Sequence, residues 1–423
     1  GAGRPEATAM LERVVDQAAH ELGLDPVAIR LANFIPANAF PYRTLFGHRY
    51  DSGEYAAALQ RVIELAGYDD LRREQQRRRA EGDRHLLGIG VACYVEVTAG
   101  GSSSEFASVE MHPDGTATVS AGTAAHGQGH ATSYAMVVAH LTGLPVDAIA
   151  LVDGDTDRVP TGGGTGGSRS LQLGGSAVKG ATEVMIDEAR ALAARHLEAD
   201  VDDIVVDVAT GTLGVAGVPS RAFTWAQLAG LAADEQQMIS GEFTFEQPGA
   251  TFPFGAHIAV VEVDRDTGFV RLLRHVAVDD CGVVLNPLIV EGQQHGGIAA
   301  GVGQALFEEV RYGDAGTPVT ATLIDYTIPT AADVPRFEVA GTQTPTPLNP
   351  LGVKGIGEAA TIGSTPAIQN AVIDAVAHLG VRHIDMPCTP ERVWRAITAA
   401  EAGLVDDPWR EPPAAFRRPS PPR

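Results

Sequence analysis

Leu351-Gly352-Val353-Lys354-Gly355-Ile356-Gly357-Glu358-Ala359-Ala360-Thr361-Ile362-Gly363 is the stretch on which the reading of this chain turns. Glycines recur up to a single carboxylate, Glu358, and an apolar pattern of helical period begins at Pro366. Glycine accepts backbone dihedrals and close neighbours that a side chain forbids, so a large group can approach the main chain here. A carboxylate directly behind such a run is placed to take a proton from whatever is held there. Taken alone, the stretch has a simpler reading: a strand-to-helix turn whose Glu is solvated or caps the helix.

Three other breaks share its design, glycines and small polar residues leading into a helical pattern. They are Ala125-His126-Gly127-Gln128-Gly129-His130, Gly164-Thr165-Gly166-Gly167-Ser168-Arg169-Ser170 and Gly292-Gln293-Gln294-His295-Gly296-Gly297. Each offers free backbone N–H groups at a helix N-terminus, which favours an anion. Ser168, Arg169 and Ser170 suit phosphate oxygens, and the amides of Gln128 and Gln293 suit the edge of a heterocycle or an oxo group. Four such breaks point to loops that converge on one large polyanionic ligand. None is a P-loop, since Lys179-Gly180 and Lys354-Gly355 lack its order, and no strand–GxGxxG–helix unit exists for a dinucleotide fold.

Other constellations are weaker. His126 and His130 stand four apart like a helical zinc pair, but glycines lie between them and the usual Glu is absent. His295 reads as a packed or hydrogen-bonded histidine and not as a ligand. Asp153, Asp155 and Asp157 alternate without the later Gly and Glu of a calcium loop, and read as a solvated turn. Cys281 has no sequence-adjacent base and reads as structural.

In chain order the first region is helical: Ala7 to Leu22 after Pro5, Asp25-Pro26 through Ile35, and Glu54 to Ala66. The Arg-rich Leu71 to Arg84 reads as a solvated helix or linker. Strands are expected at Leu87 to Val97, at Phe106 to Met111 with Thr116 to Ser120, at Ile149 to Val152 and at Ile204 to Val208. Another pair spans Ala256 to Val263 and Phe269 to Val278. Helices are expected over Ala131 to Leu141, Leu171 to Ala199, Gln304 to Val310, Pro366 to Leu379 and Pro390 to Ala400. Helices and hairpins alternate without regular βαβ units, so the fold class is α+β. The organisation is a helical segment over 1–84, an α+β unit of two subdomains over 85–405, and a Pro- and Arg-rich tail over 406–423 expected to be disordered.

The chain has 423 residues and a net charge of −22, spread along its length. That charge argues against nucleic acid and anionic membranes as partners. Three scattered cysteines exclude a cysteine-rich zinc or iron–sulfur site in this chain and make a reducing, cytoplasmic setting the default. The start, Gly1-Ala2-Gly3-Arg4-Pro5-Glu6, lacks an initiator Met and enters a helical pattern at once, so a piece of a longer chain is expected.

Taken in order, the motifs resemble the molybdenum-binding large subunit of the xanthine oxidase / aldehyde oxidase / aerobic carbon monoxide dehydrogenase family. The matching pieces are Gly1 to Ala7, Gly127-Gln128-Gly129-His130, Gly167-Ser168-Arg169-Ser170, Asp280-Cys281-Gly282 through Asn286-Pro287, Gly292-Gln293, Asp325-Tyr326 and Gly355-Ile356-Gly357-Glu358. The resemblance implies a molybdopterin cofactor with molybdenum, in bacterial members commonly the cytosine dinucleotide. By that likeness Gln128, Ser168, Arg169, Ser170 and Gln293 contact the cofactor, with Gly127, Gly129, Gly167, Gly355 and Gly357 giving it clearance. Glu358 matches the base of a hydroxylation that uses oxygen derived from water. Also implied are an iron–sulfur subunit, an FAD subunit and a dimer of heterotrimers. Residues 1–84 would end the first molybdopterin-binding domain and 85–405 would form the second.

Two departures shape the expectation. The family's subunit is about twice as long, and its N-terminal half, with one wall of the site, has no counterpart here, so this chain alone is expected to form an incomplete site. Carbon monoxide dehydrogenases place a copper-binding Cys where this chain has Gly1 to Arg4, which favours an aldehyde or an N-heterocycle as the small-molecule substrate. The competing expectation is a non-catalytic truncated or split-gene homologue acting as a scaffold.

Overall fold

The computed structural model describes residues 1–100 and 104–404, and the tail over 406–423, with its expected disorder, lies outside them. Helix α1 (Arg4–Leu22) has Pro5 in its first turn and stops at Gly23, whose φ of 64° lets its N–H reach the last carbonyls. Helix α2 (Pro26–Asn33) begins at Asp25, whose carboxylate accepts from the N–H groups of Val27 and Ala28. A short hairpin, β1 (Tyr42–Arg43) and β2 (Arg49–Tyr50), leads to α3 (Tyr55–Ala66) and α4 (Tyr68–Glu81). Helix α4 is the Arg-rich segment: of the two readings the solvated helix holds and the linker does not, and only one edge of it is anchored. Arg72 and Gln75 donate to Asp374 at 2.9 and 2.6 Å, and Gln75 also donates to the Leu87 carbonyl. These partners lie far along the chain, beyond the reach of a local charge pattern.

The mixed region runs β3 (His85–Val95), β4 (Ser104–Met111), β5 (Ala117–Ala121), α5 (His130–Thr142), β6 (Ile149–Val152) and α6 (Ser176–Leu197). It continues through β7 (Ile204–Asp207), β8 (Thr212–Val215), β9 (Ala222–Thr224), α7 (Trp225–Asp234), β10 (Ser240–Glu246), β11 (Phe254–Asp264) and β12 (Val270–Asp280). Helix α8 (Pro287–Val302), β13 (Glu338–Thr342), α9 (Ala359–Val376) and α10 (Pro390–Glu401) complete it. Two four-stranded sheets, ordered β10-β4-β5-β6 and β13-β12-β11-β3, carry the cores, beside a small β7-β8-β9 sheet.

The α+β reading holds, with one refinement. Each large sheet contains one parallel pair bridged by a helix, β5-α5-β6 and β12-α8-β13, among otherwise antiparallel strands. Ligand clefts of open sheets form beyond the carboxyl ends of parallel strands, and these two crossovers supply such ends.

Period-2 alternation makes the β3 sheet two-sided. Leu87, Ile89 and Val91 join Phe254, Ala256, Ile258 and the apolar stripe of α3 on one face. Gly88, Gly90 and Ala92 face α9 on the other. A Cβ at Gly90 would stand 2.9 Å from the Ala371 Cα, and one at Gly88 would stand 2.8 Å from the Ala375 Cβ. The helix therefore lies directly on the strand, buried along nearly its whole length.

Three helix boundaries differ from the sequence reading. Helix α9 starts at Ala359, with Pro366 inside it, because Thr361, Ser364 and Thr365 break the apolar period while Thr365 bonds within the helix to the Thr361 carbonyl. The Gly292–Gly297 break is not a loop: it lies inside α8, which Asn286 caps by accepting from the Ile289 N–H. Of its glycines Gly297 serves helix packing, since a Cβ there would meet that of Ala360 at 2.8 Å, whereas Gly292 and Gly296 are exposed with open space around them. The helix expected over Gln304 to Val310 is instead one wide turn, Gly303–Phe307, that leaves extended at Glu308, and a similar turn, Ser170–Gly175, precedes α6.

Gly90→Val forces a branched side chain into the Ala371 backbone. It is expected to lower stability by about 3 kcal/mol or more, read as a shift of the denaturant midpoint, because neither main chain can move without unseating α9.

Candidate active site

Segments from four parts of the chain meet at a cleft of about 530 Å³, lined by Gln128, Ser168, Ser170, Gln293, Gly355 and Glu358 among others. The first pair comes from the β5–α5 connection and the loop before α6. The second comes from α8 and the turn before α9. The cleft therefore sits where the two sheet bodies join, at the outlets of both crossovers.

Glu358 occupies the residue before α9 but makes no capping bond with its side chain. Its Oε2 accepts from the Ser168 hydroxyl at 2.9 Å, and its Oε1 lies 3.7 Å from the Arg4 guanidinium. A solvated or helix-capping role is thus not what the carboxylate performs. Ser168 itself has φ of 52°, a strained value for a residue with a side chain. Its loop is held on several sides. The Gly167 carbonyl accepts from the Ala99 N–H, and the Ser168 carbonyl accepts from the Gln172 amide. Gln172 in turn accepts from Thr251 at 2.7 Å.

Close approach explains two glycines. A Cβ at Gly355 would lie 2.6 Å from the Ser168 carbonyl oxygen and 2.8 Å from Thr98 Cγ2. One at Gly357 would lie 3.4 Å from Gln293 Oε1 and 3.5 Å from Ser168 Oγ, so three of the four stretches touch at this point. Gly129, at φ 75°, lies against Ile289 of α8 and joins the fourth. Gln128 accepts from the His126 N–H at 2.5 Å, which leaves its NH2 group as a donor.

Arg169 departs from the phosphate-binding expectation. Its guanidinium is buried away from the cleft and donates to Glu105 and to the Ser104 carbonyl, both at 2.8 Å. It fastens the loop to β4. Lys354 is likewise buried, its ammonium donating to the Ser52 and Phe252 carbonyls at 3.0 and 3.3 Å. Cys281 lies at the cleft, but burial pushes its thiol up to about 12, so it offers no thiolate nucleophile near neutral pH. Asp153 anchors the first break by accepting from the Ala125 N–H at 2.9 Å, and Asp155 closes a turn onto the Asp157 N–H.

Two groups at the site fall outside the set expected to contact the cofactor, with His130 weighed only as half of a metal pair. His130 is 5 % exposed at the cleft, stacked on Tyr134, and neither ring nitrogen has a hydrogen-bond partner among the described residues. Burial lowers its pKa, which keeps the imidazole neutral. Glu96, just past β3, lies buried behind Glu358. Its signal was alternation: it shares a face with Gly88, Gly90 and Tyr94, where the strand turns toward α9.

Chemically the cleft is suited to a flat, polar, anionic ligand. The N-termini of α5 and α9 open into it, amides from Gln128 and Gln293 face it, and glycines form its floor. Both ring nitrogens of buried His130 lack a protein partner among the described residues and are free to bond such a ligand. These features fit a molybdopterin.

Comparison with known proteins agrees. Two family models, both described as molybdopterin cofactor-binding domain, match residues 61–335 and residues 1–34. The carbon monoxide dehydrogenase large chain of Hydrogenophaga pseudoflava is 38% identical over 408 residues, covering 93% of this chain and 51% of that protein. The nicotine 6-hydroxylase large subunit of Paenarthrobacter nicotinovorans is 33% identical over 425 residues, covering 96% and 51%. Among solved structures, quinoline 2-oxidoreductase from Pseudomonas putida 86 superposes with a TM-score of 0.85 at 36% identity, covering 92% of this chain and 52% of that one. Reconstituted CO dehydrogenase from Oligotropha carboxidovorans gives 0.89 at 34% identity, covering 95% and 52%. The chain belongs to the molybdopterin cofactor-binding family, and within it to the molybdenum-binding large subunits of the xanthine oxidase group. These relatives are molybdenum hydroxylase oxidoreductases, and the chain spans about half the length of the curated relatives it matches.

Two outcomes test the local chemistry. Cys281 is expected to resist iodoacetamide at pH 8 in the folded protein and to react only after denaturation, as read by mass spectrometry of its peptide. Arg169→Ala leaves the Glu105 carboxylate buried without its cation and is expected to cost about 3 kcal/mol in chemical denaturation, a loss smaller when Glu105→Gln accompanies it.

Proposed function

We propose that this chain forms the molybdenum cofactor-binding part of an oxidoreductase that hydroxylates an aldehyde or N-heterocycle with oxygen derived from water, with Glu358 as the base. The observation that carries the reading is the placement of Glu358: partly buried at the cleft, held by Ser168 and free of any capping duty. When bound, the molybdenum cofactor supplies the two-electron oxidising centre. The chain supplies the base and one side of the cofactor cradle. Ser168 orients Oε2, so the other carboxylate oxygen is directed to take a proton from the attacking oxygen. The donors of Gln128 and Gln293 and the backbone at Ser168, Ser170, Gly355 and Gly357 hold the cofactor, while the helix N-termini favour its phosphate. Arg169 contributes through the loop it anchors.

The cytosine dinucleotide form of molybdopterin suits the anionic preference of the cleft and belongs to this reading. So does an assembly with an iron–sulfur subunit, an FAD subunit and the half of the relatives' large subunit that this chain does not match, which would provide the opposite wall. Residues 1–84 are read as the end of the first molybdopterin-binding domain and 85–405 as the second. Substrate choice draws on the start of the chain. Arg4 stands beside Glu358, so Gly1-Ala2-Gly3-Arg4 borders the reacting end and brings no thiol there to hold copper. That favours an aldehyde or N-heterocycle over carbon monoxide.

In the assembled enzyme, Glu358→Gln is expected to retain molybdenum by metal analysis and to lose roughly 10²–10⁴-fold in kcat. Undiminished turnover in that variant removes the base assignment. Absence of turnover in the parent, with cofactor bound, supports a scaffold instead.

A further inference from the structure

Glu96 is 1 % exposed, and neither of its carboxyl oxygens meets an N–H or hydroxyl donor among the described residues. Its neighbour is Glu358, whose carboxyl raises its pKa beyond the effect of burial. Two ionised carboxylates are acceptors only, so such a contact requires a proton on one of them. Glu358 already accepts from Ser168, has Arg4 nearby and borders the open cleft. Glu96 has the buried side and no donor, which favours its neutral acid.

We propose that Glu96 is a positioning residue for the base: its carboxyl holds a proton, donates it to Glu358, and with Ser168 fixes that carboxylate at the cleft. The proposal rests on the reading of Glu358 as base. Three groups bear on Glu96. Burial and Glu358 push its pKa up to about 8, Arg4 opposes that rise, and Tyr94 stays neutral while donating to Asp279 at 2.6 Å. At neutral pH Glu96 is therefore protonated. As pH rises through about 8 it ionises, the hydrogen bond becomes repulsion between two carboxylates, and Glu358 is released from its orientation.

The test uses the cofactor-loaded enzyme with Glu96→Leu and Glu96→Gln. The leucine variant is expected to lose about tenfold or more in kcat with KM little changed. Glutamine, whose amide restores a donor that cannot ionise, recovers most of that loss and lacks the alkaline limb near pH 8 seen in the parent. An unchanged alkaline limb in Glu96→Gln, or parental kcat in Glu96→Leu, overturns the proposal. A second readout does not depend on turnover. The infrared difference spectrum between pH 7 and pH 9.5 is expected to show a protonated carboxyl band in the parent that Glu96→Gln removes, and a band that survives in Glu96→Gln refutes Glu96 as the proton holder. If Glu358→Gln keeps its activity, the base reading falls, while the infrared result still decides whether Glu96 carries the proton.

Discussion

The seating of α9 on β3 is the constraint on which the remaining geometry depends. Gly88 and Gly90 remove the side chains that would hold the helix off the strand, and the small residues Ala367, Ala371 and Ala375 complete the contact. Dense packing of this kind leaves little freedom of translation, so the first turn of α9 is located to within a fraction of a side chain. Glu358 stands directly before that turn. A packing decision made along one face of a strand thereby positions a carboxylate at the strand's far end, beside Glu96 on the same face.

Charge reinforces the arrangement. Arg30 is buried and donates to Glu12 at 2.9 Å, Asp16 at 2.7 Å and the Val91 carbonyl at 3.1 Å, which fastens α1 and α2 to β3. Arg13 joins α1 to α9 by donating to Asn370 at 2.9 Å. Such pairs add little net stability over apolar packing, but losing one partner is costly, so they fix which arrangement is adopted. They hold the start of α1, and with it Arg4, at the Glu358 end of the cleft. Around a chain of net charge −22, the helix N-termini at the cleft create a local preference for anions that the overall charge conceals.

The cleft also shows how two sheet bodies share one site. Each contributes a parallel crossover whose outlet faces the other, and the contacts at Gly355, Gly357 and Gly129 are made between bodies. Residues that line the cleft therefore differ in kind from residues that brace it. Ser168 and Glu358 present polar atoms to the cleft, whereas Arg169 and Lys354 use their charges inward, on Glu105 and on main-chain carbonyls.

Much was settled by sequence: the α+β class, most strands, the caps at Asp25 and Gly23, and the four glycine-bearing stretches, because each depends on local dihedral preference or alternation. Their ordered set was enough to point to the family. Local signals could not place the start of α9 or the helical state of Gly292–Gly297, since Thr361, Ser364 and a buried Thr365 in one helix, and three glycines in the other, imitate loop composition. Nor could they tell which way Arg169 turns, or that Glu96 stands behind Glu358. A side chain's partner in these cases lies tens to hundreds of residues away. Only the tertiary fold, by bringing β3, α9 and the Ser168 loop together, decides which carboxylate faces the cleft and which one is buried beneath it.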